Sequence, residues 1–331
     1  MILWLTFSLL ITVCAHSESE EPNIAFDDLE DKDSFETING QPAIFTDCTR
    51  KCYAGAPKRI CYYKWVLELY NVMGTACGNC SKGVKSDCEK PQCVPADGVE
   101  RSCLTINRQI DGPSIDVCKD DLVVVDVSNM MEGIEESIHW HGILQNGYQF
   151  MDGVPMLTQC PIAYLNIFRY KFRVPICGSF FYHSHSGLNK VNGIHGAFLV
   201  RCPQSEEIHG HLYDHDLPEH TIVLSDWLHV PASMHLPGSS HILNGIPENI
   251  LINGRGRNTV NATQDLVPIP YTKLSVRYGE KYRIRIINSG TLICPFQINV
   301  EDHNMTVIAN DGESCHPRMI NTLTTYPGKY H

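Results

Sequence analysis

The chain has 331 residues, a length that accommodates two ordinary domains with a sizeable core. Its formal net charge of −11 argues against nucleic-acid binding, which requires a basic surface. Met1–Ala15 is apolar, too short to cross a bilayer, and ends in a small-residue cleavage pattern, although no basic region precedes it. We therefore predict a signal peptide over residues 1–15. Because no other long apolar run follows, we expect a secreted, extracellular protein with no transmembrane segment.

An acidic segment follows the signal peptide. Glu18–Glu36 contains nine carboxylates and one lysine. Such a composition favours a solvated chain over a packed core. Residues 16–47 are therefore predicted to form a disordered leader, to which we assign no function.

The next segment is rich in cysteine. Eight cysteines lie between Cys48 and Cys103, and Cys77 and Cys80 form a Cys-x-x-Cys motif. In a cytosolic protein this motif would suggest zinc. Here the cysteine pairs are closely spaced, no set of histidines lies nearby, and export predicts oxidation. Residues 48–102 are therefore predicted to form a disulfide-linked module, whose connectivity a single sequence does not determine.

Two further features fit export. The sequence has 15 cysteines, and removal of the signal peptide leaves 14, an even number suited to pairing. Glycosylation sequons of the form Asn-x-Ser/Thr occur at Asn79, Asn261 and Asn304.

The remaining chain has the pattern of a β-protein. Leu122–Val127 is a continuous apolar run, as expected for a fully buried strand. Phe168–Val174 alternates apolar and basic residues, and Tyr282–Ile287 repeats that alternation, with Arg283 and Arg285 predicted to be exposed. Glycine and proline separate these short strands. The pattern indicates an all-β fold of Greek-key sandwiches rather than βαβ units.

Two His-x-His pairs lie in stretches that alternate like strands: His139 with His141, and His183 with His185. Residues i and i+2 of a strand face the same side, so each pair directs two imidazoles to one spot. Four converging neutral imidazoles predict a site for copper, zinc, iron or nickel. Chance explains a single pair equally well, and His209-Gly210-His211, in a polar loop, is interpreted in that way.

The motifs around these pairs resemble multicopper oxidases, and more narrowly the arthropod laccases with their cysteine-rich N-terminal extension. The stretches that carry the resemblance are CYYKWVLELY (Cys61–Tyr70), IHWHGILQ (Ile138–Gln145), MDGVPMLTQCPI (Met151–Ile162), FFYHSHSG (Phe180–Gly187) and LYDHDLPEHTIVLSDW (Leu212–Trp227). The resemblance extends from about Cys48 to the last residue. It implies tandem cupredoxin-like sandwiches, a copper-binding domain 1 over residues 103–202 and an incomplete domain 2 over residues 212–331.

The family also implies copper and a ligand set. A complete laccase holds four coppers: a type 1 copper takes electrons from the substrate, and a trinuclear cluster reduces dioxygen. The resemblance assigns His139 to type 2 copper, and His141, His183 and His185 to the type 3 coppers. Asp152 matches a family carboxylate that assists proton delivery, although the carboxylate of an Asp-Gly turn has the same appearance in sequence.

Three smaller points concern the surroundings of the site. Cys160 and Cys294 resemble the pair that bridges domains 1 and 2 in laccases, whereas Cys177 looks like an addition whose partner is unclear. Family members commonly have glutamine at the position of Leu188 or Asn189, and Asn189 keeps an amide there. The shorter amide predicts a lost or rearranged hydrogen bond near the cluster.

The second half of the family's copper ligands is absent from this sequence. Neither the HPxHLHGH-like motif nor the His-Cys-His motif of the last domain occurs, and Cys315-His316 lacks the preceding histidine. The sequence is thus expected to be a fragment, an incomplete gene model or a truncated isoform, lacking type 1 copper and the C-terminal cupredoxin domain.

The resemblance implies a laccase-type oxidoreductase that couples one-electron oxidation of diphenols to the four-electron reduction of dioxygen to water. The 331 residues alone are expected to be inactive. Two alternatives stay open. One is an oxidase of ferrous or cuprous ions from the same superfamily, and the other is a non-catalytic, secreted copper-binding short isoform.

Overall fold

The computed structural model describes residues 34–235, 246–258, 269–292 and 294–331. The predicted signal peptide and the sequon at Asn261 lie outside these ranges. The strands are β1 (Thr37–Ile38), β2 (Gln41–Pro42), β3 (Ile44–Phe45), β4 (Ile60–Asn71), β5 (Ser102–Ile106), β6 (Ile115–Cys118), β7 (Leu122–Asn129), β8 (Ile138–His141), β9 (Ile167–Arg173), β10 (Gly178–Ser184), β11 (His195–Arg201), β12 (Thr221–Trp227), β13 (Asn249–Ile252), β14 (Arg285–Asn288), β15 (Phe296–Asn299), β16 (Met305–Asn310), β17 (Glu313–Ile320) and β18 (Thr322–Thr325).

Helical structure in the described ranges is short. The α-helix α1 spans Asn189–Asn192. The 3₁₀-helices are Thr75–Cys77, Cys80–Lys82, Lys85–Glu89, Gln149–Met151, Gly210–Leu212, Pro218–His220 and Ala232–His235. No helix among these residues has the length and apolar character needed to cross a membrane.

The first domain is a sandwich of two sheets. One sheet has the order β3-β4-β7-β9 with β5 paired to β4, and the other has the order β6-β11-β10-β8. As predicted, β7 is a buried apolar strand and β9 alternates, with Tyr170 and Phe172 inward. Between the sheets Trp65 packs on Tyr182, with ring centroids 4.4 Å apart, and on Trp140 at 5.8 Å. This aromatic core fixes β8 and β10 side by side.

The N-terminal boundary differs from the prediction. β4 pairs in parallel with β7 over eight residues, so part of the cysteine-rich segment is a central strand of the first sandwich. Residues 34–47 are not a disordered leader: β3 pairs with β4, and Phe35 is buried against Ile60 and Leu122. The prediction was based on the acidic composition and gave no weight to these few apolar residues. Their burial on the sheet edge offsets the entropy lost when the segment is ordered.

Disulfides link the cysteine-rich segment internally and to the sandwich. The bonds are Cys48–Cys61, Cys52–Cys118, Cys77–Cys93, Cys80–Cys88 and Cys177–Cys202. The Cys-x-x-Cys motif is therefore part of a disulfide pattern, as predicted. The last bond identifies Cys202 as the partner of Cys177.

The bridge predicted between Cys160 and Cys294 is not among these five disulfides. Cys160 is exposed and carries a free thiol in this structure. Its neighbour Ile162 exchanges two backbone hydrogen bonds with Glu136, of 2.7 and 3.1 Å, which hold the segment on the edge of the first domain. The bridge is not confirmed, and non-reducing peptide mapping tests it directly.

The second domain carries three small sheets: β13-β12-β14, β15-β18 and β16-β17. Its position against the first domain corrects one prediction, because Arg285 is 2% exposed rather than on the surface. Arg285 forms two hydrogen bonds with Asp216, of 2.6 and 2.9 Å, and one of 2.9 Å with Ser179 of β10. Arg283 likewise pairs with Glu207 at 2.8 Å. The alternation predicted a strand over Tyr282–Ile287, but β14 begins only at Arg285, and the face predicted to be exposed packs against the first domain.

Candidate metal centre

The two His-x-His pairs meet on neighbouring strands. β8 and β10 run antiparallel, with His139 directly opposite His183. Trp140, between the two histidines of β8, points into the core and is fully buried. Because side chains alternate along a strand, a buried Trp140 turns His139 and His141 to the other face, where they meet the histidines of the second pair. The core thus orients the site.

The four imidazoles form a compact cluster. The ring centroid of His139 lies 5.8 Å from that of His141 and 5.4 Å from those of His183 and His185. One possible ligand atom each from His139, His141 and His183 lies within 4.8 Å of the others. His185 stands at the edge of this set, its ring 6.2 Å from that of His183. The predicted residues are therefore brought together.

Hydrogen bonds fix which nitrogens face the centre of the cluster. Nδ1 of His139 donates to the backbone oxygen of Asp152 at 2.8 Å, and Nδ1 of His183 donates to that of Ser184 at 2.7 Å. A carbonyl oxygen only accepts, so each Nδ1 carries the proton and each Nε2 holds a lone pair. Nε2 of His183 lies 3.2 Å from Nδ1 of His141.

Burial keeps the rings of His141 and His183 neutral. It is the largest cause that lowers the pKa of His141 to about 4 and that of His183 to about 2, and the neighbouring histidines and Lys190 contribute to both shifts. Neutral imidazoles with inward lone pairs are the form that binds a transition metal. The donor set, all nitrogen and without a thiolate, suits copper, zinc, iron or nickel.

Comparison with known proteins agrees with this geometry. Two family models, each described as "Multicopper oxidase", match residues 87–205 and 218–330. The chain belongs to the multicopper oxidase family.

Several members of the family with known names are similar to this chain. It is 37% identical over 231 residues to Laccase-1 of Fomitopsis schrenkii. The alignment covers 68% of this chain and 40% of that laccase. It is 34% identical over 243 residues to Laccase-1 of Thanatephorus cucumeris, covering 71% and 41%. The chain therefore spans about two fifths of the length of these relatives.

Solved structures of multicopper oxidases share the fold. The laccase of Botrytis aclada matches with a TM-score of 0.62 and 31% identity, over 81% of this chain and 45% of that one. Fet3p, titled a multicopper oxidase that functions in iron import, matches with a TM-score of 0.63 and 27% identity, over 81% and 44%. The all-β, cupredoxin-like fold predicted for this multicopper oxidase is thereby confirmed.

Asp152 lies beside His139. Its backbone oxygen accepts the hydrogen bond from His139, and its carboxylate oxygen Oδ1 is 3.3 Å from the same nitrogen. The carboxylate is 31% exposed and thus connects the ring to solvent. The next residue, Gly153, has φ +77° and packs so closely on Ile138 that a side chain does not fit. This close approach seats Asp152 beside His139.

Aromatic and backbone groups from both domains lie beside His141, with Phe181 from domain 1 and Tyr330 and Gly328 from domain 2. The ring of Phe181 stacks on His141, with centroids 4.4 Å apart. Tyr330, 5% exposed, packs edge-on to His141 at 6.2 Å and also contacts Phe180. The nearby Gly328 lies against the imidazole edge. These contacts exclude water from one side of the cluster, and the sequence pattern predicted none of them.

One charged residue at the site also escaped the sequence reasoning. Glu136 is fully buried, and it accepts hydrogen bonds from Ser184 at 2.6 Å, from the backbone of Ser137 at 2.8 Å and from Asn189 at 3.0 Å. Burial raises its pKa to about 7, against these hydrogen bonds, which lower it. The sequence shows two adjacent glutamates, Glu135 and Glu136, with no signal that separates the buried one from the exposed one.

The other singled-out residues lie apart from the metal centre. Asn79 and Asn304 are exposed, as glycosylation sites would be. His209 is buried and forms a hydrogen bond of 2.9 Å with the backbone oxygen of Cys315. Cys315 carries a free thiol.

Proposed function

We propose that this chain supplies the first-domain half of the trinuclear copper cluster of a laccase-type multicopper oxidase. His139 would hold type 2 copper, and His141, His183 and His185 would hold the type 3 coppers. The observation that carries the proposal is the convergence of ligand nitrogens within 4.8 Å, with two of the rings fixed by backbone carbonyls in the tautomer that binds metal.

Bound copper would supply the one-electron redox chemistry that dioxygen reduction needs. The protein groups around the cluster would prepare it. The carbonyls of Asp152 and Ser184 hold the rings of His139 and His183 in orientation. Phe181 and Tyr330 cover His141 and keep water away from that side. A dry, rigid cluster preserves ligand geometry and strengthens local electrostatic interactions.

We propose a proton-delivery role for Asp152. Its carboxylate is partly exposed and lies 3.3 Å from Nδ1 of His139, so it can take a proton from solvent and hold it at the edge of the cluster. Reduction of dioxygen to water consumes protons, and the carboxylate of Asp152 would supply them beside His139.

The complete protein is proposed to oxidise diphenols or catechols with dioxygen, as laccases do, and to belong to the arthropod group of that family. The printed sequence contains no His-Cys-His motif. We propose that the type 1 copper and the remaining histidine ligands come from a C-terminal cupredoxin domain that the printed sequence does not contain. The 331 residues alone would then be colourless and would not take up dioxygen with a catechol.

Export is proposed on two grounds. Five disulfides form among the described residues, which fits an oxidising compartment. The apolar segment 1–15 has the length of a signal peptide. Glycosylation at Asn79, Asn261 and Asn304 belongs to the same proposal.

A second candidate is an oxidase of ferrous or cuprous ions. The similarity to Fet3p, a multicopper oxidase that functions in iron import, favours it. Substrate choice in this family would depend on the type 1 region, where carboxylates beside the type 1 histidines would indicate a metal-ion substrate. The three laccases named above are more similar in sequence, at 31–37% identity, than Fet3p is at 27%.

Copper binding by the chain itself tests the site. We expect Cu(II) added to the 331-residue protein to give an electron paramagnetic resonance signal with nitrogen hyperfine structure. His139→Ala and His183→Ala should each lose most of that signal. His211→Ala, at an exposed histidine outside the cluster, is the control and should retain it. Equal copper binding by all of these variants would refute the assignment.

A further inference from the structure

Glu136 sits at a junction of the three segments that build the metal centre. It lies just before β8, which carries His139 and His141. Its backbone pairs with Ile162, at the end of the segment that contains Asp152. Its side chain reaches Ser184, between the two histidines of the second pair. Through its backbone or its buried side chain, Glu136 thus contacts all three of these segments.

The contacts of Ser184 lead from Glu136 to a ligand. Ser184 Oγ donates to Glu136 at 2.6 Å and accepts from the backbone of Ser186 at 3.1 Å. The carbonyl of the same Ser184 accepts from Nδ1 of His183 at 2.7 Å. Because both groups belong to one residue, the bond to Glu136 fixes the carbonyl that sets the ring of His183. The backbone of His185 is tied in by its bond to Ser137, at 2.9 Å.

Asn189 completes the hydrogen bonding of the carboxylate. Its Nδ2 donates to Oε2 of Glu136 at 3.0 Å, while Oε1 accepts from Ser184 and Ser137. Both carboxylate oxygens therefore have donors. Asn189 has a short side-chain amide, and the carboxylate of Glu136 lies within hydrogen-bond distance of it. The two residues therefore act as a pair.

We infer that Glu136, through Ser184 and with Asn189, is a positioning residue that holds the His183-Ser184-His185 turn in the geometry for copper. The inference rests on the proposed copper site and deepens it. Glu136 does not contact copper. Its effect should appear in copper affinity and ligand geometry rather than only in protein stability, because removal of a hydrogen-bonded partner behind a metal ligand typically lowers metal affinity about 10- to 100-fold.

The experiment is Cu(II) titration of the full 331-residue chain, with paramagnetic resonance spectra and thermal unfolding recorded for each variant. Glu136→Gln keeps the acceptor for Ser184 but turns an amide NH₂ towards that of Asn189. We expect a 10- to 100-fold loss of Cu(II) affinity and a changed nitrogen hyperfine pattern. Glu135→Gln removes an adjacent exposed carboxylate and should bind as the unchanged chain does.

A compensating pair separates positioning from folding. In Glu136→Gln with Asn189→Asp, the new amide donates to the new carboxylate, and the charge of the pair is kept. This double variant should regain most of the lost affinity and the original spectrum. Ser184→Ala removes one link without altering the buried charge and should reproduce the loss even if Glu136→Gln folds poorly.

Three outcomes would overturn the inference. The first is unaltered Cu(II) affinity and spectrum in Glu136→Gln, whatever its thermal stability. The second is a double variant that binds no better than Glu136→Gln. Either leaves the copper site intact. The third is a His183→Ala variant with the same Cu(II) signal as the unchanged chain. That result would contradict the proposed copper site as well.

Discussion

Replacing Asp216 by asparagine should loosen the contact between the two domains. Asp216 pairs bidentately with Arg285, and its Oδ1 lies 3.1 Å from Nη1 of Arg201, whose main partner is Asp116. With Arg283 and Glu207, this group contains three guanidinium groups and three carboxylates. The substitution leaves three cations facing two anions, with Arg285 almost completely buried.

The expected loss in the free energy of unfolding is at the lower end of the range for a broken buried ion pair. Removing one partner of such a pair costs about 3–5 kcal/mol. Asp216 is 18% exposed and asparagine can still accept one bond from Arg285, so we expect about 3 kcal/mol by comparison with that range. At about 2 °C per kcal/mol for a chain of this size, the melting temperature should fall by about 6 °C.

The pH dependence has a definite sign. Burial raises the pKa of Asp216, but the charges of Arg285, Arg201 and Arg283 outweigh burial and hold that pKa below its usual value. A carboxyl with a depressed pKa stabilises the fold above the ordinary value, near 4, and loses that contribution as the pH falls through the folded pKa. The deficit of Asp216→Asn should therefore be constant from about pH 7 to 5 and shrink below about pH 4.

Urea unfolding followed by tryptophan fluorescence measures the loss, with Glu206→Gln as the control. Glu206 pairs with Lys119 on the surface, and its side chain is 45% exposed. Glu206→Gln should therefore lower the free energy of unfolding by at most about 1 kcal/mol. Adding Arg285→Gln to Asp216→Asn removes the uncompensated cation and should recover part of the stability. A loss for Asp216→Asn no larger than that of the control would refute the argument.

Two further predictions concern the frame of the metal centre. Replacing Cys177 and Cys202 together by serine should lower the free energy of unfolding by about 3.5 kcal/mol on chain-entropy grounds, because the bond closes a loop with a sequence separation of 25. Urea unfolding measures this loss, and an unchanged midpoint would contradict the prediction. Gly153→Ala should lower both stability, by about 1–3 kcal/mol, and Cu(II) affinity, because its side chain would displace the segment that orients His139. The control is Gly147→Ala, which has a similar positive φ but open space around it, and a Gly153→Ala variant that matched it in copper affinity would count against the packing argument.

Local patterns in the sequence were sufficient for two strands of the first domain and for the convergence of the two His-x-His pairs. The apolar run at Leu122 and the alternation at Phe168 depend only on the two-residue period of a strand, and both strands are present. The same period places His139 and His141 on one face. The convergence of the two His-x-His pairs followed from resemblance and from strand geometry, and the structure brings them together.

Partners distant along the chain were decided only by the tertiary structure. Glu135 and Glu136 are identical in the sequence, yet one is exposed and the other is buried at the metal centre, because only the fold brings Ser184 and Asn189 to it. Arg285 is buried for the same reason: its strand packs on the first domain. A polar side chain is buried where the folded chain supplies its hydrogen bonds and countercharge, and no local pattern records where those partners come from.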